Sequence, residues 1–339
     1  MPDTSLPGTS LPDTPITPTV DFDRDGVQHG FLNLPHSRDQ SAWGSQMIPI
    51  TVIKNGDGPT AVLTGANHGD EYEGPVALLD LARSLDPADV TGRVIIIPMM
   101  NYPAFRAAKR TSPIDGGNLN RAFPGDPQGT ITQKIADYFE RFLIPMADVV
   151  LDIHSGGKTL EFVPFVGGHI LDDKTQEKKI VDAMAAFAAP YSMMMLELDA
   201  VGMYDISAEQ AGKVFVTTEL GGGGTVSAET AGIAKRGVSN LLVHSGLVKG
   251  EVETSPTQKL EMPDGRCFVI SEHSGLFEPC VALGAVVKNG DLIARIYDVE
   301  RTGTTPVDYH AKIDGVVAGR HFPGLIGVGD FVSMVAVPV

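Results

Sequence analysis

The stretch TAVLTGANHGDE at residues 60–71 decides the fold, because it joins an apolar run to a cluster of polar side chains. The run TAVLTGA (60–66) predicts a strand that is covered on both faces of a sheet. The residues NHGDE (67–71) then follow the carboxyl end of that strand, which is where α/β folds place their binding sites. The stretch therefore predicts an α/β fold with a site at the end of this strand.

Further strands and helices alternate along the chain on either side of this stretch. Apolar runs predict the strands, and apolar residues at helical spacing predict the helices. The other predicted strands are 48–54, 93–100, 148–154 and 213–220, and the predicted helices are 73–86, 130–145, 176–189 and 226–247. NGDG (55–58) is typical of a hairpin turn. This order predicts an α/β core with helices on both faces of a sheet.

The pattern changes near residue 250. From 262 to 339, short β-type segments separated by turn residues predict a small all-β domain. Parts of it resemble the biotinyl/lipoyl carrier β-sandwich, but Lys288 is followed by Asn-Gly-Asp and does not fit the tip of a carrier hairpin. We expect a domain that gates the site or mediates assembly. The predicted division is a flexible leader at 1–20, an α/β domain at 21–250 and a β-sandwich or barrel-like domain at 251–339.

Composition excludes several classes of function. The formal net charge of −16 supplies no basic surface for phosphates, which argues against nucleic acid as a partner. No apolar run approaches the roughly 18 to 20 residues that span a membrane, and the N-terminus lacks the basic and apolar regions of a signal peptide. The two cysteines, Cys267 and Cys280, require no disulfide framework and favour a cytoplasmic location.

His68, Glu71 and His154 form a candidate metal site. Two histidines and one carboxylate are a known ligand set for a hydrolytic zinc, which keeps a fourth position open. His68 and Glu71 follow the strand at 60–66, and His154 ends the strand at 148–154. Taken singly, His68 and Glu71 also fit a capping or surface pair, and His154 fits a core histidine.

Two carboxylates add to this hypothesis. Asp152 lies two residues before His154, on the same face of the strand, and could accept the second imidazole N–H and so orient that ligand. Glu219 ends the apolar strand at 213–220 before a run of glycines, which makes it a candidate base. An ordinary strand-end aspartate and an exposed glutamate are the alternatives.

Polar residues elsewhere offer contacts for a substrate. In NLNR (118–121), Arg121 could bind a substrate carboxylate or polarise a carbonyl, or it could cap a helix. Glu197 and Asp199 could pair with a substrate ammonium. Met193–Met195 fit core packing better than a pocket wall. The remaining histidines have no partner at ligand spacing and are expected to be solvated or core residues: His29, His36, His169, His244, His273, His310 and His321.

Four motifs occur together in one order: HGDE at 68–71, NLNR at 118–121, DIHSGG at 152–157 and TTELGGGG at 217–224. In this order they resemble the succinylglutamate desuccinylase/aspartoacylase family of the zinc-carboxypeptidase superfamily, over roughly 45–335. The resemblance implies a mixed, mostly parallel sheet between helices and a small C-terminal all-β domain.

The resemblance also implies roles for the residues of these motifs. It places one zinc ion per chain on His68, Glu71 and His154, and makes Glu219 the general base and acid. It makes Arg121, with Asn120, the binder of the substrate carboxylate or carbonyl. Arg110 lies near the place of a further substrate arginine, with a longer spacing to NLNR. Asn118 stands where the family often has an aspartate.

Two further stretches narrow the resemblance. DFDRDGVQHGFLNLPHSRDQSAWGS and VFVTTELGGGGT resemble the deacetylases that act on N-acetyl-L-2,4-diaminobutyrate in bacterial ectoine degradation. That resemblance implies this substrate. The sequence leaves open a homo-oligomer and association with the ectoine hydrolase of the same pathway. The alternatives are a deacylase of succinylglutamate or acetylaspartate, and an inactive zinc-dependent scaffold protein.

Overall fold

The computed structural model describes residues 13–197 and 199–339, and most of their strands join one large mixed sheet. The strands up to the predicted boundary near 250 are β1 (Thr17–Pro18), β2 (Gly26–Pro35), β3 (Ser45–Asn55), β4 (Thr60–Gly65), β5 (Gly92–Ile97), β6 (Val149–His154), β7 (Leu160–Phe162), β8 (Phe165–His169), β9 (Tyr191–Met195) and β10 (Val214–Glu219). The later strands are β11 (Gln258–Glu261), β12 (Phe268–Ile270), β13 (Gly275–Pro279), β14 (Val286–Val287), β15 (Leu292–Tyr297), β16 (Val307–His310), β17 (Gly315–His321), β18 (Leu325–Ile326) and β19 (Phe331–Pro338).

Four parallel strands in the order β5-β4-β6-β10 form the centre of this sheet. β1, β2 and β3 extend it on one side through antiparallel pairs. On the other side β10 pairs antiparallel with β8, which pairs parallel with β9. The parallel centre brings the carboxyl ends of β4, β6 and β10 to one edge, and the sheet is mixed as a whole.

Helices cover both faces of the sheet. They are α1 (Glu73–Ser84), α2 (Tyr102–Ala107), α3 (Ile131–Tyr138), α4 (Ile144–Met146), α5 (Lys174–Phe187), α6 (Tyr204–Gln210) and α7 (Ala228–His244). Consecutive strand residues enter opposite cores, because side chains alternate across a strand. Val150 packs with Tyr138 and Phe215 on the face of α3 and α6, whereas Leu151 packs with Phe187 on the face of α1, α5 and α7.

The structure confirms the predicted α/β core with helices on both faces, and corrects two details. The strand predicted at 93–100 ends at Ile97, because Pro98 has no N–H for the ladder. NGDG (55–58) turns the chain between β3 and β4 but does not make a hairpin, because β5 lies between these strands and pairs with both. The buried apolar residues of β5 fill that place on both faces.

The segment predicted as a flexible leader, 1–20, is ordered over its last residues. Residues 1–12 lie outside the described part of the chain. Thr17–Pro18 pairs antiparallel with β2, and Ile16 and Val20 are buried in the core. These two apolar side chains fix the segment, so the expectation of a flexible leader is wrong from residue 13 to 20.

The strands after residue 250 form two sheets. β16-β15-β13-β18 is a separate antiparallel sheet. β19, β17 and β14 instead continue the large sheet through β11, which pairs parallel with β9 and antiparallel with β19. Described residues 262–339 contain strands and one short 3-10 turn, Gly265–Cys267, as the turn-rich sequence predicted. Cys267 is buried and Cys280 half-buried, and both thiols are free.

Candidate active site

The three predicted metal ligands meet at the carboxyl edge of the parallel strands. His68 and Glu71 lie in the turn between β4 and α1, and His154 is the last residue of the neighbouring β6. One ligand atom from each side chain can be chosen so that all lie within 4.8 Å of one another, and all three residues are buried. This is a group that could hold a metal ion.

A ring nitrogen of each histidine faces the carboxylate of Glu71. Glu71 Oε1 lies 2.7 Å from His68 Nδ1, and Glu71 Oε2 lies 2.9 Å from His154 Nδ1. Arg110 Nη1 lies 3.3 Å from His68 Nδ1, and an arginine can only donate. Two imidazole nitrogens that converge on a buried carboxylate are a donor set that fits a divalent metal, whose binding would displace any proton between them.

Asp152 lies within hydrogen-bond distance of His154, on the strand face that the two residues share. Asp152 Oδ2 lies 2.7 Å from His154 Nε2, and a carboxylate can only accept here, so Nε2 carries the proton and Nδ1 faces Glu71. Asp152 itself accepts from Asn67 Nδ2 at 2.9 Å and from Thr64 Oγ1 at 2.8 Å. This buried network fixes the tautomer of His154 that exposes Nδ1 to a metal.

The electrostatics of the group keep Glu71 charged. Burial raises the pKa of Glu71, but His68 and His154 outweigh burial and hold it well below its usual value. Burial lowers the pKa of His68 and favours the neutral imidazole that a metal needs. Burial also lowers the pKa of His154, but Asp152 and Glu71 outweigh it and raise this pKa well above its usual value.

Glu219 stands beside the group without belonging to it. It ends β10, where its Cα is the register partner of His154, and its Oε2 is buried with no hydrogen-bond partner in the described residues. Burial, and then the charge of Glu71, raise the pKa of Glu219 to about 8. A carboxyl group that titrates near neutral pH can accept and return a proton.

A cavity of about 180 Å³ lies in front of these residues. His68, His154 and Glu219 line one part of it, with Arg110, Asn120 and Arg121 beside them. Predicted substrate contacts and the candidate ligands therefore share one chamber, whose size suits a small molecule.

The NLNR loop is held by the chain before α6. Asn120 Oδ1 accepts from the amide of Tyr204 at 3.1 Å, and Phe123 donates its amide to the carbonyl of Gly202 at 3.0 Å. Asn118 caps the 3-10 turn Leu119–Arg121 by accepting from the amide of Asn120. These bonds fix the backbone that presents Arg121 to the cavity.

The two acids predicted to meet an ammonium differ in position. Glu197 lines the cavity. Asp199 is largely exposed, and its Oδ2 lies 3.8 Å from Arg121 Nε. Of the methionine run, Met193 packs in a core as expected, whereas Met195 contributes to the cavity wall.

The sequence did not point to Asp205, which lines the cavity, or to the buried pair of His169 and Glu209. His169 is a core histidine as expected, and its Nδ1 lies 3.0 Å from Glu209 Oε1. Asp205 and Glu209 lie four residues apart on α6. This i, i+4 spacing was the only sign in the sequence that both acids share a helix face. It gave no indication that His169, at the end of β8, would pair with Glu209.

The His169–Glu209 pair makes stability depend on pH. Burial lowers the pKa of His169, but the nearby carboxylates of Glu197 and Glu209 outweigh it and raise the pKa to about 10 from 6.5. Between these values the folded protein keeps a proton that the unfolded chain releases, so the contribution of His169 to stability falls as pH rises. Urea unfolding of the wild type and His169→Gln at about pH 6.5, 8 and 9.5 measures it. The wild-type advantage should shrink with pH; an advantage that grows or stays constant contradicts this assignment.

C-terminal strands support one wall of the cavity. β17 pairs antiparallel with β7, and Arg320 Nη2 donates to Glu161 Oε2 at 2.6 Å. Phe322 packs on Gly223, where an added Cβ would lie 2.7 Å from its ring. Since Leu160 and Phe162 of β7 line the cavity, these contacts connect the C-terminal region to its shape.

Comparison with known proteins agrees with this geometry. A family model described as the succinylglutamate desuccinylase/aspartoacylase catalytic domain matches residues 57–245. The chain is 57% identical over 332 residues to the N-alpha-acetyl-L-2,4-diaminobutyric acid deacetylase of Halomonas elongata, and the match covers 97% of each.

Solved structures match over nearly the whole chain. The product-bound structure of the Ectoine utilization protein EutE (DoeB) from Ruegeria pomeroyi has a TM-score of 0.95 at 62% identity, covering 96% of this chain and 99% of that one. A structure described as a succinylglutamate desuccinylase from a Silicibacter species has a TM-score of 0.94 at 60% identity, with the same coverage. Among the described residues, no helix is long and apolar enough to cross a membrane.

Proposed function

The chain belongs to the succinylglutamate desuccinylase/aspartoacylase family, as its four motifs predicted, and we propose that it hydrolyses N-α-acetyl-L-2,4-diaminobutyrate to acetate and L-2,4-diaminobutyrate. It is an amidohydrolase that acts on a linear amide, as its relatives are named. The observation that carries the proposal is the meeting of His68, Glu71 and His154 with the unpartnered carboxyl of Glu219 at one cavity. The proposed place of this reaction is ectoine catabolism, in which the similar EutE is named.

We propose that His68, Glu71 and His154 hold one zinc ion, with Asp152 orienting His154. Zinc bound by two imidazoles and a carboxylate supplies a Lewis acid that polarises a carbonyl and lowers the pKa of water. The convergence of both imidazole Nδ1 atoms on Glu71, and the contact of His154 Nε2 with Asp152, support this assignment.

In the proposed reaction, Glu219 takes the proton from the attacking water. The carbon–nitrogen bond of the amide then breaks, and Glu219 returns the proton to the departing amine nitrogen, so one water is consumed for each acetate and amine formed. The pKa of about 8, raised by burial and by Glu71, supports both transfers near neutral pH.

Three polar residues position the substrate in this proposal. Arg121, with the Nδ2 amide of Asn120, binds the substrate carboxylate. Asn120 Oδ1 is occupied by Tyr204, whereas its Nδ2 has no hydrogen-bond partner in the described residues. Arg110, whose Nη1 lies 3.3 Å from His68 and 3.8 Å from Glu71, faces the place of the scissile carbonyl and stabilises its developing charge.

The alternative substrates are succinylglutamate and acetylaspartate. They are included in the test because one similar structure is described as a succinylglutamate desuccinylase. Purified protein would be given each N-acyl amino acid in turn, and release of the free acid would be measured. We expect the acetylated diaminobutyrate to have the highest kcat/KM. A higher value for a dicarboxylic substrate would favour the alternative, and no turnover of any substrate would favour the scaffold function.

Three further proposals concern the location of the protein, its oligomeric state and a protein partner. Two free thiols, and the similarity to a protein named for ectoine utilization, support a cytoplasmic location. A homo-oligomer and association with the ectoine hydrolase of the same pathway are proposals that the sequence leaves open. Light scattering of the purified chain, alone and mixed with that hydrolase, tests both.

A further inference from the structure

Two acids in the lining of the cavity have no part in the proposed reaction. These are Glu197 and Asp205. The buried His169 lies close by, with its Nε2 3.6 Å from Glu197 Oε1 and its Nδ1 3.0 Å from Glu209 Oε1. Glu197 follows β9, Asp205 and Glu209 lie on α6, and His169 ends β8. Four titratable side chains from three neighbouring segments therefore meet at one wall.

His169 balances only part of this charge. Its Nδ1 lies 3.0 Å from Glu209 Oε1, which gives Glu209 a close partner. Its Nε2 is buried, has no hydrogen-bond partner in the described residues, and lies 3.6 Å from Glu197 Oε1. Three carboxylates thus share one imidazolium, and the wall keeps an excess of negative charge towards the cavity.

Of the three acids, Asp205 is the one without an ion pair in the described residues. It is 5% exposed, and its Oδ1 accepts from the amide of Ile206 at 2.7 Å. No lysine, arginine or histidine in the described ranges 13–197 and 199–339 forms an ion pair with it. Burial raises its pKa to about 6, and the charge of His169 offsets part of this rise. A buried carboxylate facing a cavity without a cation of its own is stabilised by a cationic ligand.

The same cavity also carries positive charge in its lining. Arg110 and Arg121 line it, and Arg110 Nη1 lies 3.3 Å from Nδ1 of the candidate ligand His68. A ligand that fills the cavity would therefore meet both cationic and acidic groups. A molecule with one carboxylate and one ammonium group matches both, whereas a second carboxylate would meet Glu197 and Asp205 and be repelled.

We propose that Asp205 and Glu197 form a subsite for a short cationic side chain of the substrate, and that His169 and Glu209 position Glu197. The inference rests on the proposed function, since it names the class of N-acyl amino acid that the same cavity selects. Specificity for an ammonium side chain would then arise from residues outside the four motifs.

The test compares two substrates whose side chains have the same length but differ in charge. N-α-acetyl-L-2,4-diaminobutyrate ends in an ammonium group, and N-acetyl-L-norvaline has a methyl group at the same place. Asp205→Asn should lower kcat/KM for the cationic substrate about 10- to 100-fold, mainly through KM, because a charge-assisted contact is lost. Turnover of the norvaline substrate should change by less than about 3-fold, since that substrate makes no such contact.

Matched variants distinguish a loss of ammonium recognition from a loss of activity that is the same for both substrates. Glu197→Gln should shift the ratio of the two kcat/KM values in the same direction, and Glu209→Gln should shift it less. Glu261→Gln changes an exposed acid on β11 that does not line the cavity, and should leave the ratio within about 2-fold. Equal losses on both substrates in folded Asp205→Asn and Glu197→Gln proteins would overturn the subsite and leave the proposed function intact.

Binding of the free amino acids gives a readout that does not depend on turnover. Calorimetry should show that the wild type binds L-2,4-diaminobutyrate more tightly than L-norvaline, and that Asp205→Asn removes most of this preference. A wild type that keeps this preference but releases no acetate would contradict the proposed function and support the subsite. Equal affinity for both amino acids would overturn the subsite.

Discussion

Glu219→Gln is expected to lower kcat by about 10²- to 10⁴-fold while the bound metal stays in place. Glutamine keeps the size of the side chain but cannot accept the proton of the attacking water. Glu219 contributes no atom to the group of His68, Glu71 and His154, so metal binding should survive. Steady-state kinetics with metal analysis of the same sample measures both quantities.

A control variant tests whether the loss of kcat is specific to Glu219. Glu261→Gln changes an exposed glutamate on β11 and should leave kcat within about 2-fold, as expected for a surface residue. Near-normal turnover in Glu219→Gln would show that another group moves the proton. Loss of metal in that variant would show that Glu219 belongs to the metal site.

A graded loss of metal is the second large effect that we expect. His154→Ala removes one of three ligands and should abolish stable metal binding together with activity. Asp152→Asn leaves all three ligands but loses the acceptor that fixes His154, and should weaken metal affinity about 10- to 100-fold. Competition with a chromogenic chelator measures both affinities.

The difference in metal loss between Asp152→Asn and His154→Ala distinguishes an orienting residue from a metal ligand. Activity of Asp152→Asn should recover when zinc is added in excess, because the ligands remain, whereas His154→Ala should not recover. A variant Asp152→Asn with wild-type affinity would contradict the orienting role. Full metal content in His154→Ala would contradict the proposed ligand set.

Much of the core and of the site could be predicted from sequence, because both depend on local patterns. Continuous apolar runs predicted the buried strands β4, β6 and β10, and the carboxyl ends of parallel strands meet at one edge of a sheet. That rule alone placed His68 and Glu71 near His154, and the pairing of Glu219 with His154 follows from the register of β6 and β10.

Other features depend on contacts between distant segments, which no local pattern encodes. The turn at NGDG (55–58) gave no sign that β5 would lie between β3 and β4. The addition of β19 and β17 to the large sheet depends on β11 pairing with β9. Asp205 reaches the cavity only because α6 packs against β10, and the pair of His169 with Glu209 joins residues 40 positions apart.

Metal-dependent release of acetate is the most direct test of the proposal that this chain is a zinc-dependent deacetylase. Acetate formed from N-α-acetyl-L-2,4-diaminobutyrate would be measured with purified protein, with protein stripped of metal by a chelator, and with stripped protein after addition of about one zinc ion per chain. We expect turnover in the first sample, loss of it in the second and recovery in the third. Full turnover by metal-free protein, or no acetate from the zinc-loaded protein, would contradict it.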